Sequence, residues 1–142
     1  MAREPKHLLA LLLCLMFAQG SSVCLRCMND HVVVSQRVDD HGEDVGGGGG
    51  GVVQTSTLYM FKVTVTNRCC CEVRSVVVAA PGFQSAIPID PKLFRPNSGE
   101  GETDYLVGDG GTIPVKGNVT FAYTWSTVFR MDVVSMTVFR CL

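Results

Sequence analysis

Helical periodicity is missing from this chain of 142 residues: beyond its first twenty positions, no window of eleven repeats apolar residues at helical spacing. Nor does any later segment approach the roughly 18 apolar residues of a membrane-crossing helix. Charge of one sign is lacking as well. Twelve Lys and Arg, scattered singly, face 13 Asp and Glu, so no basic stripe exists to neutralise nucleic-acid phosphates. Histidine is scarce. Of three, His7 lies in the leader described below, which leaves His31 and His41, neither beside a Gly-x-Ser-x-Gly elbow nor in a His-Glu-x-x-His pair. Gly46 to Gly51 are not followed by Gly-Lys-Ser/Thr, which excludes a phosphate-binding loop, and Asp39, Asp40, Glu43 and Asp44 lack the EF-hand spacing for calcium. Asp39 and Asp40 have no rigid support beside that glycine run, so they would not hold the separation that glycoside hydrolysis needs. The expectation is a protein that is not an enzyme and needs no cofactor.

What is present begins with a leader. Arg3 and Lys6 precede the ten-residue apolar run Leu8–Phe17, and Ala18 and Gly20 are small. Ten residues rise about 15 Å as a helix against a hydrocarbon core of roughly 30 Å, too little for an anchor. Residues 1–20 therefore read as a secretory signal peptide cleaved after Gly20, and residues 21–142 as a single exported domain.

Export governs how the cysteines are read. With Cys14 gone, Cys24, Cys27, Cys69, Cys70, Cys71 and Cys141 remain, an even number in a short secreted chain, the pattern of a disulfide framework. The rival is zinc held by Cys24, Cys27 and the Cys69–Cys71 triplet. Neighbouring side chains on an extended strand point apart, which fits tetrahedral coordination poorly. No metal is expected.

The domain reads as strands and turns. Segments 31–37, 58–66, 73–80, 105–107, 112–115, 119–125 and 131–141 are short, β-branched or alternating. In the second, Tyr59, Phe61, Val63 and Val65 share one face and Lys62, Thr64 and Thr66 the other; 73–80 is apolar enough at its centre for burial on both faces. Six or seven such strands predict an all-β fold, an antiparallel β-sandwich with a small barrel as the alternative. Residues 38–56, acidic and then glycine-rich, read as a flexible loop between the first two strands. Tyr123 and Trp125 would suit an aromatic platform for carbohydrate or cell-wall polymer, but they share a face with Val119 and Phe121, which favours core. Asn118-Val119-Thr120 is an N-glycosylation sequon.

Several segments, in order, resemble the plant tapetum determinant-like family of small secreted cysteine-rich proteins. They are Cys27-Met-Asn-Asp-His-Val-Val-Val-Ser-Gln36, Phe61-Lys-Val-Thr-Val-Thr-Asn67-Arg-Cys69-Cys-Cys71, Gly82-Phe83-Gln84-Ser85, Ile89-Asp90-Pro91-Lys-Leu-Phe94-Arg95, Asp104-Tyr-Leu-Val-Gly-Asp-Gly-Gly111 and Val119-Thr-Phe121-Ala-Tyr123-Thr-Trp125, closed by Cys141. The resemblance implies a secreted signalling ligand of the apoplast that binds the ectodomain of a leucine-rich-repeat receptor kinase in cell-fate determination. A carbohydrate- or cell-wall-binding module is the alternative. It also implies that Cys27 and Cys141 bond to Cys69 and Cys71 in some order. Cys24 and Cys70 are additions to the family pattern, free to join each other or a partner chain. Two family cysteines are replaced, by Ala80 and by Tyr105, and losing both together reads as the loss of one bond, worth about 2–5 kcal/mol. If a receptor is the partner, Phe83, Phe94 and Arg95, in the turn-rich segment 81–95, are the contact candidates.

Overall fold

The computed structural model describes residues 24, 26–39, 57–99 and 102–141. The expected signal peptide, and residues 40–56 of the expected loop, lie outside them. Seven strands run in order: β1 (Val32–Asp39), β2 (Tyr59–Asn67), β3 (Cys71–Ala79), β4 (Phe94–Pro96), β5 (Asp104–Val107), β6 (Asn118–Trp125) and β7 (Asp132–Cys141). They form two antiparallel sheets, β1-β2-β6 and β4-β5-β3-β7, stacked as a disulfide-stapled sandwich rather than a closed barrel. The only helical pieces among the described residues are the 3-10 turns Asn29–His31 and Gly108–Gly110. None of these is long and apolar enough to cross a membrane.

Alternation builds the three-stranded sheet as its residues predict. Phe61, Val63 and Val65 of β2 point inward and are buried, opposite Val38, Gln36 and Val34 of β1 and Tyr123, Phe121 and Val119 of β6. Val38 and Asp39, expected in the loop, instead extend β1, paired with Phe61 and Met60. The correction has a simple cause: Phe61 begins the buried row, and its rung needs a partner on both sides.

The four-stranded sheet departs from simple alternation. Val73 and Val76 of β3 are both fully buried although an odd spacing should send them to opposite faces. Ser75 adopts a left-handed φ of 50°, and the pairing with β7 shifts register between Arg74 and Val77. This bulge carries the extra residue, pushes Arg74 and Ser75 outward and returns Val76 and Val78 to the core. The strand expected at 112–115 shrinks to one bridge between Ile113 and Val73, because Pro114 has no N–H and Lys116 turns the chain with φ 62°. β4 arises inside a segment read as turns: Asp90 caps its own turn by accepting from Lys92 N–H, and the strand stops at an edge proline.

The core between the sheets is mostly valine, with an aromatic cluster on one side. Phe94 stacks on Phe121 at 4.3 Å and on Tyr105 at 4.7 Å, and Phe83 meets Phe94, Tyr105, Tyr123 and Phe129 edge-on at 5.2–5.3 Å. Tyr123 is buried in this cluster, so the aromatic row of β6 is core and not a platform. Its hydroxyl donates to Gln36 Oε1 (2.7 Å) and accepts from Phe129 N–H (3.1 Å), while Gln36 Nε2 donates to the Phe129 carbonyl (2.8 Å). Burial lifts the Tyr123 pKa above its ordinary 10.0, the Phe129 hydrogen bond opposing weakly. A raised folded pKa means stability is intact below pH 10 and falls as pH rises through the folded value. Unfolding midpoints measured across that range should therefore drop in the wild type and drop less in Tyr123→Phe. That variant should start about 1–2 kcal/mol lower, because Gln36 and Phe129 N–H lose their partner.

Candidate functional site

β2 and β3 are joined at one end of the sandwich by Arg68, Cys69 and Cys70, and Cys71 opens β3. A bend sends the three consecutive cysteines to three different partners. Cys70 bonds Cys24, Cys69 bonds Cys27, and Cys71 bonds Cys141 directly across the β3–β7 pairing, with Cα separations of 5.8, 5.8 and 4.0 Å. The sulfurs crowd together: those of Cys24, Cys27, Cys69, Cys70 and Cys71 lie within 4.8 Å of one another. In a reduced chain that would be a donor set for a soft metal, which strand geometry alone had argued against. In the bonded state no thiolate is left to ligate. Burial ranks the bonds by access. Cys70 and Cys141 are exposed, whereas Cys69 and Cys71 are buried at 3% and 1% exposure, so only the Cys27–Cys69 bond has no exposed residue. Attack by a thiol needs contact with a sulfur. Brief treatment with a small thiol, then alkylation and peptide mapping, should label Cys27 and Cys69 last; first label at that pair would contradict this order.

Asn67 shapes the bend. It is wholly buried, and its Nδ2 donates to the carbonyls of Cys71 (2.8 Å), Ile113 (3.1 Å) and Pro114 (3.2 Å), while its Oδ1 accepts from Cys69 N–H (2.9 Å). Its backbone N–H donates to Gly117 and its carbonyl accepts from Lys116 N–H. One side chain thus ties the cysteine bend to the 113–117 turn, satisfying groups that burial would otherwise leave unpaired. In the sequence Asn67 is marked only by its place in the Phe61–Cys71 motif.

The receptor-contact candidates separate. Phe94 is 4% exposed and belongs to the core, whereas Phe83 is half-buried at its margin, packed edge-on against four rings. Their flanking prolines had suggested a displayed loop, but the segment folds back as a lid on the sandwich. Arg95, the next residue after Phe94, faces outward and holds Asp109 Oδ1 through Nε (3.1 Å) and Nη2 (2.8 Å), both side chains remaining substantially exposed. Asn118 is exposed at the start of β6. His31 is tied to its own turn, accepting from Met28 N–H (2.9 Å) and lying 3.8 Å from Asp30, and His41 falls outside the described residues.

An unforeseen surface lies at the pole away from the cysteines. There Val38, Leu58, Tyr59, Met60, Ile87 and Val128 are all exposed large apolar residues, Tyr59 at 45% and Val128 at 55%. Tyr59 pairs with Trp125 at the sheet's end. The only signal for this in the sequence is that the inward rows of β2 and β6 begin and end on aromatics.

The fold is a small β-sandwich stapled by disulfides at one end, with exposed apolar side chains at the other end and also along β7 at Val134, Val138 and Phe139. Residues 51–139 match the family described as "Tapetum determinant 1, C-terminal", and the chain belongs to that family. No curated protein and no solved structure matches it. The matched span takes in β2 through β6 and most of β7, and Cys24 and Cys27 lie before it. Within it, Ala80 and Tyr105, where the family cysteines are replaced, lie on adjoining strands two rungs apart. A disulfide would not bridge that diagonal of about 7–8 Å without backbone movement, so the expected lost bond does not fit this register. Tyr105 pairs with Val78, and Ala80 N–H donates to Thr103. The Tyr105 ring packs against Phe94 and Phe83.

Proposed function

We propose that this protein is a secreted, non-enzymatic signalling ligand of the plant apoplast. Its partner is the ectodomain of a leucine-rich-repeat receptor kinase, and its output is cell-fate determination in reproductive tissue. The observation that carries the reading is membership of the tapetum determinant 1 family. The disulfides support it, since they suit an oxidising compartment. Binding would use the apolar pole around Tyr59 together with Arg95, because aromatic residues and arginine concentrate binding energy at protein interfaces.

The test is direct binding of the exported protein to a panel of such ectodomains, with cell-wall polysaccharides in parallel. Tyr59→Ser and Arg95→Ala should each weaken ectodomain binding about tenfold while leaving the unfolding midpoint almost unchanged, since both side chains are exposed. Unchanged affinity of both folded variants would reject these contacts. Retention on polysaccharide with no ectodomain binding would favour the carbohydrate module instead.

A further inference from the structure

We infer that Asn118 carries an N-linked glycan whose first sugars lie across the outer face of the β1-β2-β6 sheet, a face thereby closed to protein partners. The inference rests on the secretory routing proposed above. Asn118 opens the edge strand β6, is exposed, and pairs with Thr66 of β2 on the outward side. Beside it, a shallow depression of about 400 Å³ crosses all three strands, lined by Ser35, Gln36, Arg37, Lys62, Thr64, Asn118 and Thr120. Asn118 stands at one rim of this depression, so a sugar attached there has a floor already built.

The floor has the chemistry of a saccharide seat. Ser35, Thr64 and Thr120 are adjacent on successive strands and offer hydroxyls that both donate and accept. Arg37 and Lys62 sit directly opposite each other, an arrangement of like charges that costs stability in a sheet. Neither forms an ion pair with a described carboxylate. Sugar hydroxyl and acetamido oxygens accept from both cations without adding charge, and the aliphatic stems of Arg37 and Lys62 give the C–H faces of the rings an apolar strip. Lys62 and Arg37 lie four residues along the strands from the Asn118 rung and one and two strands across, a diagonal of roughly 14–17 Å that the linked stem of the glycan and the long Lys and Arg side chains cover together.

The covalent step is a group transfer from a lipid-linked diphospho-oligosaccharide. Asn118 Nδ2 loses one proton and bonds the anomeric carbon; the bond from that carbon to the diphosphate oxygen breaks, and the lipid diphosphate leaves with the electron pair. Nothing is oxidised or reduced. Thr120 supplies the sequon hydroxyl before the strand folds.

The experiment uses the full chain exported from a glycosylating plant or insect host. Intact mass is read before and after enzymatic removal of N-glycans, and in Asn118→Gln. Amine acetylation is then timed at Lys62, with Lys92 and Lys116, both exposed, as internal standards. The expected result is a glycan mass lost in both treatments and acetylation of Lys62 several-fold slower in the glycosylated protein, with the other two lysines unchanged. Enzymatic removal acts on folded protein, so the comparison survives even if Asn118→Gln fails to fold. Exported protein without a glycan would overturn this inference alone, as would a glycan that leaves Lys62 unprotected. Protein retained in the cell with reduced thiols would overturn the secretory reading and this inference together.

Discussion

Replacing Asn67 by aspartate, a change of one NH2 to one oxygen with no change of shape, should abolish the folded state or lower its stability by about 4–6 kcal/mol. The three carbonyls of Cys71, Ile113 and Pro114 that now accept from Nδ2 would instead face an oxygen, at 2.8–3.2 Å, inside a site with no access to water. Buried acceptors left unpaired cost about 1–3 kcal/mol each, and a buried carboxylate adds its own desolvation. A domain of this size has about 5–15 kcal/mol in total, so the deficit is most of the margin. Asn67→Ala should fall nearly as far, since it empties the site and strands Cys69 N–H as well. The measurement is denaturant unfolding together with disulfide mapping of the exported protein, because a loosened bend should also scramble the pairing of Cys69, Cys70 and Cys71. A stable Asn67→Asp variant with native bonds would refute this account of the bend.

Much of the architecture was legible because it rests on local alternation. The rows Phe61-Val63-Val65 and Val119-Phe121-Tyr123 announce a face of a sheet, and both are buried. What could not be read depends on contacts distant in sequence. The bulge at Ser75 has no glycine to mark it, and only the need to bury both Val73 and Val76 against the other sheet selects a left-handed serine there. Six cysteines permit 15 pairings, and spacing does not choose among them; a bend held by Asn67 does. The apolar pole follows from strands that run past the aromatic packing, a relation between elements invisible in either strand alone. The Arg37–Lys62 opposition was equally hidden, since only the β1–β2 register brings the two together.

Phe94 and Arg95 are consecutive, and both lie in the segment from which contact residues are expected. Their substitutions should differ at least about threefold in their cost to stability. Strand geometry sends neighbours to opposite faces. Phe94 enters the core, stacked between Phe121 and Tyr105 and edge-on to Phe83, whereas Arg95 stays outside on Asp109. Phe94→Ala should therefore lose about 3–5 kcal/mol, the transfer energy of the ring plus the cavity left among three other rings. Arg95→Ala should lose under about 1 kcal/mol, because a solvent-screened ion pair contributes little. The two variants also separate stability from recognition. Phe94→Ala should depress exported yield and unfolding midpoint, and any remaining folded fraction should bind the ectodomain with wild-type affinity. Arg95→Ala should express and unfold normally and bind about tenfold more weakly. Phe94→Leu keeps most of the apolar volume and should recover about half of the lost stability. An Arg95→Ala protein as unstable as Phe94→Ala would mean that β4 is held by the ion pair rather than by the rings, and the aromatic lid would then have to be abandoned as what closes the sandwich.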